Sequence, residues 1–157
     1  MIEENHSGSS DPAVAVVIPT YKRNSVLQRA VDSVLRQTYE NWKLYVVDDA
    51  PENSIQDVIP DDDRIERIQH NENKGAPAAR NTGIRMSNAP YIAFLDDDDA
   101  WKPEKLERQI DVFKRLAQDY GLVYSGYDKI QDDKLIKTEQ PKLTGDVFNE
   151  LLRKNFI

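Results

Sequence analysis

Four consecutive carboxylates, Asp96–Asp99, directly follow an apolar run, Tyr91–Leu95. The five apolar residues predict a strand that is covered on both faces, as in a parallel α/β sheet. Adjacent carboxylates repel one another unless a cation lies among them. Two of them separated by one residue, at the corner where a strand becomes a loop, can share Mg²⁺ or Mn²⁺ and leave positions open for phosphate oxygens. The run therefore predicts a divalent metal site, with a solvated acidic loop as the alternative.

Two other apolar runs also end in polar residues. Ala13–Ile18 is a β-branched run that leads into Pro19, which should end the strand, and then into Thr20 and Tyr21. Those two residues offer a hydroxyl group and an aromatic face to a base, although half-buried packing in a loop would explain them equally.

The second of these runs, Trp42–Val47, ends in Asp48 and Asp49. Either carboxylate could accept a hydrogen bond from a base imide or a ribose hydroxyl, because a carboxylate is an acceptor-only group. A turn or a helix cap is the alternative for both residues.

Few other charged side chains are assigned a role. Arg80 could contact a phosphate or one of the aspartates, and an ordinary surface ion pair is an equal alternative. Lys22, Arg23 and Lys74 are predicted to be solvated. Neither His6 nor His70 has the Ser or Cys partner that a catalytic triad requires, so the two histidines are assigned no role.

Helical periodicity alternates with these strands. Asn24 or Ser25 is predicted to cap a helix with the stripe Leu27, Ala30, Val31, Val34 and Leu35. Further helices are predicted from Pro77 to about Asn88, after Pro103 until Gly121, and over 147–152. A strand is expected over 122–127, and a hairpin turn is expected at Asp132-Asp133. Such alternation predicts a mostly parallel sheet with helices on both faces, and ligands bind at the carboxyl ends of its strands.

Length and charge restrict the possible classes of protein. The 157 residues suit one domain over 13–157, preceded by a flexible lead-in over 1–12. A net charge of −7 argues against nucleic acid as a partner, and without cysteine any metal ligand must be oxygen or imidazole. Glu3 and Glu4 stand where a secretory signal would need positive charge, and no apolar run is long enough to span a membrane, so a cytoplasmic location is expected.

Taken together, the motifs resemble those of the inverting glycosyltransferases of family 2, which have the GT-A fold, a Rossmann-like three-layer α/β/α arrangement. The resemblance covers most of the region from Val14 to about Gln109. It rests on five segments: 16–23 (VVIPTYKR), 33–39 (SVLRQTY), 46–49 (VVDD), 73–84 (NKG followed by ARNTGI) and 91–103.

The resemblance implies a nucleotide-sugar donor, usually a UDP-sugar, with Mg²⁺ or Mn²⁺ on its diphosphate. Pro19, Thr20, Tyr21, Asp48 and Asp49 would lie at the nucleoside, Arg80 would border the nucleotide and Asp97 would face the ribose. Asp98 would ligate the metal, with Asp96 or Asp99 as a possible additional ligand, because both Asp96-x-Asp98 and Asp97-x-Asp99 spell the DXD motif.

The family's general base comes from an acceptor-binding half, and the resemblance places that residue beyond Ile157. The acceptor would be a hydroxyl group of a glycan, a lipid-linked sugar or another molecule, and membrane association, at the cytoplasmic face, would come only through regions outside this chain. A non-catalytic nucleotide-sugar-binding module is the main alternative. An aspartate-based phosphatase is a weaker one, since no Asp follows the first strand.

Overall fold

The computed structural model describes residues 11–52, 55–116 and 120–153. The described residues fall into two compact units divided between Glu107 and Arg108. The elements in chain order are β1 Val14–Thr20, α1 Asn24–Leu35, β2 Trp42–Asp48, β3 Ile65–Gln69, α2 Ala76–Arg85, β4 Tyr91–Phe94, α3 Lys105–Arg115, β5 Tyr127–Gln131, β6 Lys134–Glu139 and α4 Phe148–Arg153.

The first unit contains a four-stranded sheet in the order β3-β2-β1-β4, with all three pairings parallel. Parallel register places Thr20 beside Asp48, and Asp48 beside Gln69. The carboxyl ends of β1, β2 and β3 therefore lie side by side, as the alternation of strands and helices predicts.

Both faces of the central strands are buried. Ala15, Val17, Tyr45 and Val47 form one cluster with Ala79 of α2. The alternate residues of β1 and β2 point to the opposite face and are also buried, and so is the stripe on α1: Val14, Val16, Ile18, Leu44, Val46, Leu27, Ala30, Val31 and Val34. The prediction of a mostly parallel α/β sheet is confirmed.

Pro19 does not end β1, contrary to the sequence-based expectation. The strand continues through Pro19, which is paired with Val47, to Thr20. The carbonyl of Val17 faces β4 and accepts a hydrogen bond from Leu95, while that of Thr20 faces β2 and accepts one from Asp49. Pro19 therefore faces the β4 side, beyond the last residue of β1 that β4 pairs, where its missing N–H disrupts no ladder.

The expectation that Tyr91–Leu95 is covered on both faces is wrong for the described part of the chain. β4 is an edge strand of the four-stranded sheet. Phe94 is 46% exposed and Tyr91, Ile92 and Ala93 are only partly buried, whereas Leu95 is buried. An apolar run reports the hydrophobicity of a segment and does not distinguish an edge strand from a central one.

The helix starts differ in how they are stabilised. The cap of α1 is Arg23, which makes no side-chain cap bond, so the expected capping by Asn24 or Ser25 is not found. α2 follows Gly75, whose φ of +84° favours glycine, and has Pro77 in its first turn as predicted. It ends at Arg85, with Met86 as its cap.

Gln37 connects the end of α1 to the segment after the four aspartates. Its side-chain amide donates to the carbonyls of Lys102 (2.8 Å) and Ser33 (3.1 Å), and its Oε1 accepts from the backbone N–H of Leu106 at 2.9 Å. Gln37 is buried, so these bonds are shielded from water and hold the start of α3 in place.

The second unit contains the hairpin β5–β6, which is antiparallel. Asp132 and Asp133 form its turn as predicted, with φ values of 50° and 57° that suit Asp in a two-residue hairpin loop. The strand expected over 122–127 is wrong, because residues 122–126 are irregular and β5 begins at Tyr127. Among the described helices of both units, none has the length and hydropathy needed to cross a membrane.

Replacing Gly83 of α2 with Ala should destabilise the fold. A Cβ atom there would lie 2.5 Å from Cγ1 of Val17, a stiff side chain in the core. Overpacking of this kind costs about 1–3 kcal/mol, more than the gain of up to about 1 kcal/mol that Ala brings to a helix. Urea unfolding measures the difference.

Gly121→Ala is the control, because a Cβ atom there meets nothing within 4 Å and should change stability by less than about 0.5 kcal/mol. The double variant Gly83→Ala with Val17→Ala should lose less stability than the two single losses added together. If the stability loss of the double variant equals the sum of the two single losses, the proposed clash between a Cβ atom at position 83 and Val17 is contradicted.

Candidate functional site

A cleft of about 290 Å³ lies where the carboxyl ends of β1 and β2 meet the start of α2 and the four aspartates. Its lining residues are Pro19, Thr20, Tyr21, Arg23, Asp49, Ala76, Ala79, Arg80, Asp96, Asp97 and Asp98. The structure thus brings together eight of the ten residues singled out from the sequence. Asp48 and Asp99 are not part of the lining.

The four aspartates fold into a turn. The backbone N–H of Asp99 donates to the carbonyl of Asp96 at 3.1 Å, which leaves Asp97 and Asp98 at the centre of the turn. The side chains consequently point to different environments: Asp97 is buried, whereas those of Asp96 and Asp98 are 53% and 48% exposed. The turn separates four chemically identical residues into distinct positions.

Asp97 is the buried acid of the turn. The hydroxyl of Thr20 donates to its Oδ2 at 2.8 Å, and Arg23 approaches its Oδ1 at 3.0 Å. Both carboxylate oxygens are therefore satisfied, as burial of a charge requires. These bonds tie the turn to the end of β1.

Asp98 is held from two sides by arginines. Its Oδ2 accepts from Arg23 at 2.7 Å, and its backbone carbonyl accepts from Arg29 of α1. The hydrogen bond from Arg23 lowers the pKa of Asp98 below its ordinary value and outweighs the opposing effect of burial. Asp98 is thus ionised at neutral pH.

The two outer aspartates differ. Asp96 forms an ion pair with Arg80 of α2, and both residues line the cleft. Burial raises the pKa of Asp99, and the neighbouring charges of Asp98 and Asp96 raise it further. Like charges in one turn oppose each other's ionisation, which is the repulsion expected from the sequence.

Asp48 and Asp49 are both buried, but only Asp49 reaches the cleft. Oδ1 of Asp48 accepts the backbone N–H of Ala50 at 3.0 Å. Oδ1 of Asp49 accepts the backbone N–H of Lys74 (2.9 Å), and its Oδ2 accepts that of Gly75 at 2.7 Å. Asp49 therefore fixes the turn that begins α2, the helix that carries Arg80.

His70 completes this arrangement and was assigned no role from the sequence. Its Nδ1 lies 2.7 Å from Oδ1 of Asp49, and its Nε2 lies 2.9 Å from the hydroxyl of Thr82. An ionised Asp49 can only accept hydrogen bonds, so the proton on Nδ1 is donated to it. Nε2 is then the atom that accepts from the hydroxyl of Thr82 when the ring carries one proton. The sequence carries no local signal for this contact, because it depends on the pairing of β2 with β3, which places the residue after Gln69 opposite Asp49.

Arg23 is the second residue that sequence reasoning missed, because it was expected to be solvated. Its side chain is 49% exposed, yet its guanidinium bridges two carboxylates of the turn. Those carboxylates raise its pKa above the ordinary value, led by the hydrogen bond to Asp98. Since the partners lie 74 and 75 residues further along the chain, no local sequence signal identifies them.

Asp49→Asn should destabilise the first unit by about 1–3 kcal/mol at pH 7, because an amide nitrogen would replace an acceptor and leave a buried N–H unpaired. Burial raises the pKa of Asp49, but the hydrogen bonds from Lys74, His70 and Gly75 together lower it below 3.8. The stabilisation is therefore present above that value and is lost as pH falls through the lower pKa of the folded protein.

Urea unfolding at pH 7, 5 and 3 tests this, with Asp111→Asn as the control, since that change removes only an exposed contact with Arg115 at 3.9 Å. The difference between wild type and Asp49→Asn should shrink between pH 5 and 3. A difference that is constant over this range would show that the charge of Asp49 is not involved.

Comparison with known proteins identifies the family of the chain that forms this cleft. Residues 15–155 match the family model described as Glycosyl transferase family 2. The chain is 34% identical over 147 residues to the Escherichia coli protein "UDP-Glc:alpha-D-GlcNAc-diphosphoundecaprenol beta-1,3-glucosyltransferase WfgD", covering 91% of this chain and 56% of that protein. It is 32% identical over 126 residues to "Putative teichuronic acid biosynthesis glycosyltransferase TuaG" of Bacillus subtilis (strain 168), covering 78% and 49%.

Solved structures share the fold. The chain superposes on "S. aureus TarS 1-349 in complex with UDP-GlcNAc" with a TM-score of 0.58 at 19% identity, over 71% of this chain and 37% of that one. A mannosyltransferase from Pyrobaculum calidifontis, solved with GDP-Man and Mn²⁺, gives a TM-score of 0.54 at 20% identity, over 65% and 32%. The GT-A fold expected from the motifs is confirmed.

The chain spans about half the length of these two curated relatives. The match nevertheless runs over nearly the whole chain and includes every element that lines the cleft. The chain belongs to glycosyl transferase family 2.

Proposed function

We propose that the chain binds the nucleotide-sugar donor of an enzyme that transfers the sugar to an acceptor hydroxyl. The observation that carries this proposal is the cleft itself, in which an aromatic ring, two arginines and four aspartates meet at the carboxyl ends of parallel strands. This is where α/β sheets bind nucleotides. The sequence relative that transfers from UDP-Glc, and the neighbour solved with UDP-GlcNAc, favour a UDP-sugar.

We assign the nucleoside to the side of the cleft formed by Pro19, Thr20 and Tyr21. Tyr21 is 42% exposed and offers its ring to a base. Asp48 is paired with Thr20 in the register of the sheet, and we assign it to the base imide. Asp49 contributes the wall of the pocket, since its oxygens already accept three hydrogen bonds.

The opposite side of the cleft suits the sugar diphosphate. Arg80 is about one-third exposed and can turn from Asp96 to a phosphate, to which guanidinium groups bind in a bidentate manner. Asp97 is assigned to the ribose, whose hydroxyls are donors to a carboxylate. In the free protein that carboxylate accepts from Thr20 and Arg23.

The donor set fits a hard divalent cation. Asp98 is ionised and half exposed at the cleft, and Asp96 is also half exposed and lines the cleft, whereas Asp99 does not. We therefore propose Asp98 as the ligand of Mg²⁺ or Mn²⁺, with Asp96 as the additional ligand, which favours the Asp96-x-Asp98 register over one that uses Asp99.

Among the described residues, no three His, Cys, Asp or Glu side chains are grouped to hold a metal. Water and phosphate oxygens would therefore complete the coordination. When bound, the cation neutralises charge on the departing nucleoside diphosphate.

In the proposed transfer, an acceptor oxygen bonds to the anomeric carbon as the bond from that carbon to the phosphate oxygen breaks, with inversion at the carbon. The acceptor proton goes to a carboxylate base, which we place beyond Ile157. The names of the two relatives favour a cell-surface glycan or a lipid-linked sugar as acceptor, and such an acceptor would bring the full protein to the cytoplasmic face of the membrane.

One observation favours the alternative of a binding module without catalysis. Each of the four aspartates of the cleft lining accepts from a cation or an N–H group, so the lining itself presents no free carboxylate to act as a base. Turnover distinguishes the two functions.

UDP should bind about tenfold more tightly in Mn²⁺ than in chelator, equivalent to about 1.4 kcal/mol of binding free energy. Asp98→Asn should remove most of this gain because it removes the proposed ligand. Isothermal titration calorimetry measures both. Asp133→Asn is the matched control, since it makes the same charge change at the hairpin turn, where Asn also tolerates a positive φ. Equal affinities with metal and chelator would count against the proposed site.

A longer polypeptide that extends beyond Ile157 to the length of the two relatives should release UDP from a UDP-sugar when an acceptor is present. Coupled detection of UDP measures this, with Asp98→Asn as the inactive comparison. Binding of the donor without release from any UDP-, GDP- or dTDP-sugar would favour the non-catalytic module.

A further inference from the structure

Arg23 holds the position in which a cation is needed. Its guanidinium lies 3.0 Å from Oδ1 of Asp97 and 2.7 Å from Oδ2 of Asp98. It belongs to the cleft lining, and it is the residue directly before α1. Lys22, which precedes it, has a φ of +54°, an uncommon conformation for a lysine that marks the bend between β1 and α1.

The three arginines around the turn hold it in different ways. Arg29 binds the backbone carbonyl of Asp98, so it fixes the turn without occupying a carboxylate oxygen. Arg80 engages Asp96 alone. Arg23 is therefore the cation that bridges the buried Asp97 and the exposed Asp98 of the described structure.

We infer that Arg23 is an exchangeable counter-ion, which competes with the divalent cation for Asp98 in the free protein and transfers to the donor diphosphate when the nucleotide binds. The inference rests on the proposed function. Half of the Arg23 side chain is exposed, so it can leave without opening the core. A planar guanidinium binds phosphate as well as carboxylate, so it can exchange one for the other.

Charge balance supports an exchange of this kind. The turn carries four carboxylates and is contacted by three guanidinium groups, from Arg23, Arg29 and Arg80. A divalent cation that arrives alone would leave excess positive charge beside Arg23, whereas one that arrives with a diphosphate of two negative charges brings no net charge. Arg23 thus makes cation binding depend on the nucleotide, which is a coupling between two ligands.

Arg23→Gln in the 157-residue chain tests the inference, because its expected effects have opposite signs. The affinity for Mn²⁺ alone should rise about fivefold or more, since a competitor is removed, and that for UDP in Mn²⁺ should fall by a comparable factor. The affinity for uridine, which lacks phosphate, should not change. Electron paramagnetic resonance of free Mn²⁺ and calorimetry measure these affinities.

Arg36→Gln is the control, since it removes the same charge at the other end of α1. Arg23→Lys keeps the charge but loses the planar guanidinium that binds two oxygens at once, so its effects on the affinities should have the same signs and be smaller. This variant replaces Arg23→Gln in the test if Arg23→Gln does not fold. Circular dichroism and thermal unfolding establish folding for each variant.

Two results would overturn the inference. If the affinities for Mn²⁺, UDP and uridine all fall together, Arg23 stabilises the structure of the site and does not exchange. If the affinities for Mn²⁺ and UDP are unchanged, Arg23 forms only an ordinary surface ion pair. Wild-type binding of UDP is read in the same titrations. Its absence would reject the proposed function, while the comparison in Mn²⁺ alone would still report whether Arg23 competes for the carboxylates.

Discussion

Repulsion among the four adjacent aspartates is the constraint on which the rest of the site depends. Like charges so close together are stable only with cations beside them. The chain supplies these cations from three separate segments: Arg23 from the loop after β1, Arg29 from α1 and Arg80 from α2. The acidic turn consequently links each of these segments, and the cleft is the space that they enclose.

The framework of the site follows from features that a sequence shows directly. β-Branched runs that end in Asp or Thr predict parallel strands with polar carboxyl ends, and the order of strands and helices places those ends at one edge. The register then brings Thr20 beside Asp48. Sequence reasoning succeeded here because the positions of strands and helices along the chain depend on hydrophobic pattern, which is local.

The features that sequence reasoning missed depend on partners far along the chain. Arg23, expected to be solvated, meets carboxylates 74 and 75 residues away, and His70 meets Asp49 at a separation of 21 residues. The edge position of β4 has a similar origin, since Phe94 is as apolar as a core residue and only the strand order shows that it is exposed. Hydrophobicity fixes which segments become strands, whereas pairing decides which charges meet.

The two sides of the cleft differ in how firmly their charges are held. On the α2 side, Asp49 is buried and accepts from two backbone N–H groups and a buried histidine, bonds that cannot be exchanged for a ligand without unfolding the turn at Gly75. By contrast, the carboxylates of Asp96 and Asp98 are bound by partly exposed arginines, and exposed ion pairs stabilise a fold only weakly. A charged ligand can therefore displace the arginines at small cost while Asp49 keeps the wall of the pocket in place. This division gives a site that is preorganised in shape and exchangeable in charge.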